Sequence, residues 1–579
     1  MEPLGPVRSV TWEVPEMDRK TASKTLREIS RLLEVDGDNP HRVRAFAGAA
    51  RAVERVEGDL EELVATGEIV KARGVGKGTA AVLSELAAGE RPRVLVEVEE
   101  RVPEGVRDML GLPGLGPKKV RVLWQELGAG SLGELEYACR ENRLLDLKGF
   151  GPATQSAVLD AIQFKQRSRS RRLLHQAWAE AESCIRALSG ASGVGSVRVA
   201  GELRRGCDTV GGLDLVVEHG DGCRPGAVAR VVGDPRPDGD HRWIVQPADS
   251  LPVRLWFTRP GALGTVMLRA TGGDQFVDAL EARADDAGLP AIDSHVPRID
   301  DPDGSAGERR IFERLELPWV APELRDDDRW LARAAGGTLI ELVNDGDLLG
   351  ALHNHTSDSD GAAPLEEMAQ AAARRDWSFF GVADHSPAAF YANGVTADRL
   401  RAQWARADRW MQGNPGTRIV KGLEADILPD GRLDIPPGCE PGLEYVVASV
   451  HSSFKLSHRA QTERLVTAVG HPSCRVLGHP TGRLLLAREG YQVDLGRVLD
   501  ACAEHGVAVE INASPYRLDL DWRWAAEALA RGLKLVVNPD AHSVEGLDDV
   551  RWGIAVARKA GATRQDLVNC SDIEEFLSD

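Results

Sequence analysis

Nine residues in the last third of the chain are of the types that hold metal ions: His353, His355, Asp360, His385, Glu424, His451, His479, Asp540 and His542. Imidazole mixed with carboxylate suits zinc, manganese or iron and does not favour thiolate-seeking metals. Nine donors exceed the needs of one ion, so two or three divalent cations are expected. Clustered cations acidify water and neutralise charge developing on phosphoryl oxygens, which is the chemistry of phosphate-ester hydrolysis. A single His or Asp of this kind is usually a satisfied core polar group. Nine of them at equivalent positions call for a shared ligand.

Those positions follow strand-like runs. Residues 348–352 lead to His353, His355 and Asp360, 379–383 to Asp384 and His385, and 419–423 to Glu424. Residues 445–450 lead to His451, 476–478 to His479, 507–511 to Asn512, and 533–537 to Asp540 and His542. Helical patterns alternate with these runs, which predicts a parallel β/α architecture. Side chains beyond the carboxyl ends of parallel strands converge at one mouth of a barrel.

The stretches Leu352-His353-Asn354-His355-Thr356 and Ser359-Asp360-Gly361 resemble the opening motif of the PHP (polymerase and histidinol phosphatase) family. Asp384-His385-Ser386, Gly422-Leu423-Glu424, Val450-His451-Ser452, Gly478-His479-Pro480 and Asp540-Ala541-His542-Ser543 resemble its later motifs. The resemblance implies a distorted (β/α)7 barrel holding three metals. It places His353, His355, Glu424 and Asp540 on one ion. Glu424 would bridge to a second ion held by His451 and His479, with Asp360, His385 and His542 on the third. Arg483 is the candidate phosphate clamp, because a guanidinium matches phosphate oxygens bidentately. Asp384 is expected to orient a ligand imidazole.

Three glycine-rich turns lie near the other end of the chain: Arg73-Gly74-Val75-Gly76-Lys77-Gly78, Leu112-Pro113-Gly114-Leu115-Gly116-Pro117-Lys118-Lys119 and Leu147-Lys148-Gly149-Phe150-Gly151-Pro152. Each precedes a helical run, giving an irregular internal repeat. They resemble helix-hairpin-helix elements, whose backbone amides hold DNA phosphates without reading sequence. Gly74, Gly76, Lys77, Gly114, Gly116, Lys118, Lys119, Gly149 and Gly151 are therefore the candidate DNA contacts.

Between these regions, Gly201-Glu202-Leu203-Arg204-Arg205-Gly206 with Gly211-Gly212-Leu213-Asp214 resembles the palm signature of family X DNA polymerases. Thr271-Gly272 and the run from Leu317 to Leu324 resemble the thumb that follows it. The departures matter more than the match. Where the family has Gly-Asp-x-Asp, this chain has Gly212 for the first aspartate and keeps only Asp214. Arg254 stands where a third carboxylate belongs, and Glu202 replaces a serine that contacts the incoming triphosphate. Arg269 and Ala270 replace an aromatic pair. Two-metal nucleotidyl transfer needs the missing carboxylates, so no templated synthesis is expected, and Arg204 and Arg205 are read as a nucleotide-binding remnant. A Schiff-base lyase role is not expected either, since Val82 stands where related repair polymerases carry the lysine, with Lys71 and Lys77 the available substitutes.

With 579 residues the chain needs several cores. Apolar residues at 42% and charged residues at 28% describe an ordinary globular protein. The expected organisation is a flexible lead (1–20), two helix-hairpin-helix domains (21–95 and 96–170) and an α+β polymerase-like palm (171–262). A thumb (263–325), a linker (326–347) and the PHP domain (348–579) follow. Net charge is −18, of which residues 1–170 contribute only −1, so any grip on nucleic acid is local. Eight scattered cysteines without a C-x-x-C pair fit a reducing cytoplasm. These readings converge on a monomeric, metal-dependent 3′-5′ exonuclease or 3′-end processing enzyme of DNA repair. Its partner is gapped, nicked or 3′-ended DNA, with no membrane. The competing reading is a gap-filling polymerase with an associated exonuclease.

Overall fold

The computed structural model describes residues 18–578, apart from 57, 141–142, 240, 248–249 and 289–304. Most of the expected flexible lead lies outside the described residues. Its last part does not: Asp18 accepts from Thr21 N at 2.6 Å and caps a helix over Arg19–Asp36. The chain divides into two compact units, one ending at Arg167 and the other beginning at Ser168. No described helix is long and apolar enough to cross a membrane.

The first unit is all helical. Leu26, Ile29 and Leu33 of its first helix are fully buried, as their spacing on one helical face requires. The three glycine-rich turns share one construction. Gly74, Gly114 and Gly149 adopt φ of +108°, +81° and +90°, a region L side chains avoid. The residue between each pair of glycines, Val75, Leu115 or Phe150, is buried and anchors the turn to the core. Helices Lys77–Ala87, Pro117–Gln125 and Pro152–Arg169 start directly after the second glycine.

The second unit begins with a sheet of five described strands: β1 (Val194–Ala200), β2 (Leu213–His219), β3 (Asp234–Pro237), β4 (Arg242–Gln246) and β5 (Val253–Thr258). Their order is β1-β2-β5-β4-β3, and β2 and β5 run parallel. Helices Leu263–Thr271, Asp274–Asp286 and Ser305–Arg314 follow. They gather Leu268, Phe276, Leu280 and Phe312 into a core of their own. Fully buried Glu308 sits inside this region between Arg204 at 2.7 Å and Arg325 at 2.8 Å. An ion triad of this kind ties the strand-rich part to the helices behind it. The connecting segment carries a helix over Arg329–Ala335 and lies against the last domain, where Val343 N donates to Ala562 O at 3.0 Å.

Seven strands then form one all-parallel sheet in sequence order: β6 (Gly350–Ala351), β7 (Phe379–Val382), β8 (Arg418–Asp426), β9 (Tyr445–Ser449), β10 (Cys474–Leu477), β11 (Ala508–Asn512) and β12 (Leu535–Asn538). Strands β7, β9, β11 and β12 are buried at every residue, as strands covered on both faces must be. The sheet curls into a nearly closed barrel whose seam is bridged by side chains. Asn569 Nδ2 donates to Gly350 O at 3.0 Å and Val537 O at 2.6 Å, and Leu352 N donates to Asn538 Oδ1 at 2.8 Å. Inside, the Tyr445 hydroxyl donates to Leu352 O and Val382 O. The tyrosine passes so close that a Cβ on Gly422 would fall 2.2 Å from its ring and one on Gly381 2.5 Å from its hydroxyl oxygen, which explains glycine at both positions.

Candidate functional site

The carboxyl ends of the barrel strands bring all nine predicted metal donors to one place. His353 and His355 follow β6, His385 follows β7, and His451 and His479 follow β9 and β10. Asp540 and His542 follow β12. Glu424 departs from that pattern, because β8 continues through it to Asp426. His353, His355, His385, His451 and His479 surround the Glu424 carboxylate at 2.7–3.7 Å. Asp540 lies 3.0 Å from His355 and 3.7 Å from His353, while Asp360 faces His385 at 3.5 Å and His542 at 3.4 Å.

Three donor groups have the mutual spacing to share an ion: His355, Asp360, His385 and His542; His353, His355 and Asp540; His385, Glu424 and His451. The donors also test well against a cation. Buried His353 Nε2, His355 Nδ1 and His479 Nδ1 have no aligned hydrogen-bond partner, and orphaned buried polar atoms call for one. Backbone strain gathers here too, with Asp540 at φ +53° and His479 at +25°. Non-glycine residues held in that region cluster at ligand sites.

The electrostatics fit the same conclusion. Burial would raise Glu424 and Asp540, but the surrounding imidazoles hold both carboxyls well below the usual range. Burial would lower His385, His451 and His542, yet the carboxylates push them up to about 10, 9 and 9. The negative field that does this is the field that draws in a dication. His355 goes the other way, to about 3, through burial and the nearby His385 and His542.

Two supporting carboxylates escape the sequence reading. Glu510, fully buried within β11, meets His353 Nδ1 at 2.7 Å, and Asp426 meets His451 Nδ1 at 2.7 Å. Asp384, the expected imidazole partner, instead accepts from Thr356 N at 2.8 Å and Thr356 Oγ1 at 2.7 Å, and also from Ser359 and Gln403. It fastens the loop carrying His355 and Asp360. Asn512 donates to Asp540 Oδ2 at 3.0 Å.

Arg483 also differs from expectation. Its guanidinium donates to Arg517 O at 3.0 Å and to Leu518 O, and lies 3.2 Å from Asp208. Those partners make it a brace for the loop after β11. The cation facing the cluster is Arg517, 3.8 Å from Asp540 Oδ2.

In the sheet of β1–β5, Asp214 pairs in register with Arg254. One Asp214 oxygen accepts from Arg254 at 2.9 Å and from Trp256 Nε1 at 3.0 Å. Glu202 accepts from Gly211 N at 2.7 Å and from Arg171 at 3.1 Å. Both carboxylates line an 830 Å³ cleft together with Arg205, Arg236, Arg242 and Arg269. Arg204 and Arg205, read as a nucleotide-binding remnant, are both engaged by protein carboxylates, Arg205 from within the cleft lining. Arg204 belongs to the Glu308 triad, and Arg205 pairs with Asp326 at 2.8 Å and donates to Thr271 O at 2.6 Å.

In the helical unit, a Cβ built on Gly76, Gly114, Gly116, Gly149 or Gly151 meets open space. Lys77 and Lys118 are exposed, and Lys119 lies over the Phe150 ring at 5.6 Å. The free amides of a helix start with an adjacent cation form an anion site. Val82 is buried, and Lys71 pairs with Glu68.

Comparison with known families agrees with this geometry. A helix-hairpin-helix domain matches residues 17–92 and a SAM-like helix-hairpin-helix tandem matches 106–163. The DNA polymerase beta thumb matches 266–326 and the PHP domain 351–514. DNA polymerase/3′-5′ exonuclease PolX of Bacillus subtilis (strain 168) is 31% identical over 577 residues, covering 97% of this chain and 99% of that one. A probable phosphatase of Thermoanaerobacter sp. (strain X514) is 28% identical over 249 residues, 39% of this chain and 93% of its own length. A probable phosphatase of Vibrio atlanticus (strain LGP32) is 30% identical over 217 residues, 34% of this chain and 80% of the relative. With helix-hairpin-helix elements, a polymerase beta thumb and a PHP barrel in a chain that aligns over nearly its full length with the PolX relative, this protein belongs to the family X DNA polymerases that carry a carboxyl-terminal PHP domain.

Proposed function

We propose that this protein is a metal-dependent phosphodiesterase that removes nucleotides or blocking groups from 3′ ends of DNA during repair. Its palm and thumb hold the substrate without adding nucleotides. The observation that carries the reading is Glu424 set among five imidazoles, with Asp360 and Asp540 flanking the group. His353, His355, Asp360, His385, Glu424, His451, His479, Asp540 and His542 would hold two or three cations of zinc, manganese or iron. When bound, they supply Lewis acidity and a water of lowered pKa.

The chain's own residues do the rest. Glu510 and Asp426 fix the rings of His353 and His451, and such partners raise ligand basicity. Arg517 is placed to receive a phosphate oxygen, and a planar fork of donors suits it. The three hairpins supply contacts to the DNA backbone that do not depend on sequence. The pairing of Asp214 with Arg254 supports loss of synthesis, because the one carboxylate kept at the signature is engaged by an arginine where magnesium needs several free carboxylates. All eight cysteines are free, in keeping with a reducing cytoplasm.

Digestion of 3′- and 5′-labelled oligonucleotides with manganese or zinc tests the reading. Stepwise loss from the 3′ end, abolished in His353→Ala and Asp540→Ala, is expected. Undiminished degradation by those variants would end it. A gap-filling polymerase is the second reading, favoured by the survival of Asp214 on β2. Primer extension across a one-nucleotide gap, lost on Asp214→Ala, would establish it.

A further inference from the structure

Two large aromatic rings stand in solvent beside the donor cluster. Phe390 is 86% exposed and its neighbour Tyr391 is 61% exposed. A scattered exposed apolar residue needs no explanation, but adjacent rings at the mouth of a polar site do. Their segment is not loosely held. Val395 N donates to His385 O at 2.7 Å, and Asn393 Nδ2 donates to Ser359 O at 3.1 Å, next to Asp360. Ser386 N donates to Glu424 O at 2.9 Å, and Ala389 and Ala392 on either side of the pair are buried. The loop is thus fastened to the metal-donor residues themselves, and the two side chains it could have turned inward are presented outward.

The Tyr391 ring lies 6.2 Å from the His385 ring and 6.3 Å from the His451 ring. The Phe390 ring continues outward, 6.2 Å from Tyr391 in an edge-to-face arrangement. A phosphate at the donor cluster and a flat apolar group on these rings would therefore belong to the same or adjacent units of one chain molecule. We infer that Phe390 and Tyr391 form a stacking platform for an unpaired nucleobase at the end of the strand being hydrolysed. This rests on the phosphodiesterase reading above and narrows it to single-stranded or frayed ends. Every base has a π-face, so such a platform holds a strand without selecting sequence. A compact phosphate monoester would reach the donors without touching Phe390.

The test uses the full chain and a single-stranded oligonucleotide with 2-aminopurine as its 3′-terminal base. Binding to the wild type should quench its fluorescence, Phe390→Ala and Tyr391→Ala should lose most of that quenching, and Phe390→Trp should keep it. In hydrolysis, the wild type should favour a base-bearing 3′ terminus over an abasic one by about 5- to 150-fold in KM, the range expected of one stacked base. In Phe390→Ala that preference should collapse toward unity. Equal quenching in all variants, or a preference that survives both alanine substitutions, would overturn the inference. If the wild type hydrolyses neither strand while ring-dependent quenching persists, the platform stands and the phosphodiesterase reading falls.

Discussion

Glu510→Gln is the substitution that bears most directly on the metal centre. One Glu510 oxygen meets His353 Nδ1 at 2.7 Å and Asn538 Nδ2 at 3.2 Å. The other accepts from Asn512 Nδ2 at 2.8 Å and from His479 N at 3.2 Å. Each oxygen thus faces donors, and the residue is fully buried. Glutamine keeps the volume, so no cavity opens, but it has only one acceptor oxygen. Whichever way the amide turns, its NH2 group opposes either His353 Nδ1–H or the pair formed by His479 N and Asn512. In the first case the proton on Nδ1 that leaves His353 Nε2 free to ligate loses its acceptor, and in the second it keeps a neutral amide oxygen in place of a carboxylate while His479 N and Asn512 lose theirs. Losing a partner of this kind weakens metal binding by about 10- to 100-fold, or ~1.4–2.7 kcal/mol. Titration of zinc or manganese against a chromogenic chelator measures the shift, and circular dichroism confirms that the variant is folded. A folded Glu510→Gln protein binding metal within about twofold of the wild type would refute the assignment of His353 as a ligand supported by Glu510.

Other outcomes follow from the same structure. Glu308→Gln leaves Arg204 and Arg325 buried without a counter-charge, so stability should fall by about 3–5 kcal/mol in urea denaturation. Burial alone would raise the Glu308 pKa, but Arg325 and Arg204 outweigh it and hold it below the ordinary value. Its contribution is therefore complete above about pH 4.3 and is lost as pH falls below that, and the variant should show a shallower acid limb in stability-versus-pH curves. Arg517→Ala should lower kcat/KM for a phosphodiester by about 10²-fold, the loss typical of one electrostatic stabiliser. Arg483→Ala should act mainly on melting temperature, and the opposite ranking in steady-state assays would restore Arg483 as the clamp. Gly212→Asp combined with Arg254→Asp should raise primer extension above the wild type in magnesium. A Cβ at Gly212 meets nothing closer than Pro252 O at 3.3 Å, so failure of a folded double variant would mean that more than carboxylates is missing.

The donor residues are readable from sequence because parallel strands buried on both faces are unbroken apolar runs. Any His, Asp or Glu directly after such a run must sit at the barrel mouth. Asp426 carried a usable signal, standing two residues beyond Glu424 and so on the same side of the strand. Glu510 carried another, since a charge inside Val509–Glu510–Ile511 has to find a partner. The glycine turns are equally local, because a positive φ and a helix start are encoded within a few residues.

Where a long side chain goes is not local. Arg483 and Arg517 belong to different loops, and which one meets the cluster depends on how the carbonyls of residues 517 and 518 face the first guanidinium. Arg204 and Arg205 read as a nucleotide-binding remnant until Glu308 and Asp326 arrive from about a hundred residues away. Sequence by itself determined the chemistry available, through donor types set at strand ends and glycines set at turns, because those follow from backbone periodicity. Only the tertiary structure decided which charges face the centre and which are neutralised inside, because a flexible arginine takes its direction from acceptors supplied by distant segments.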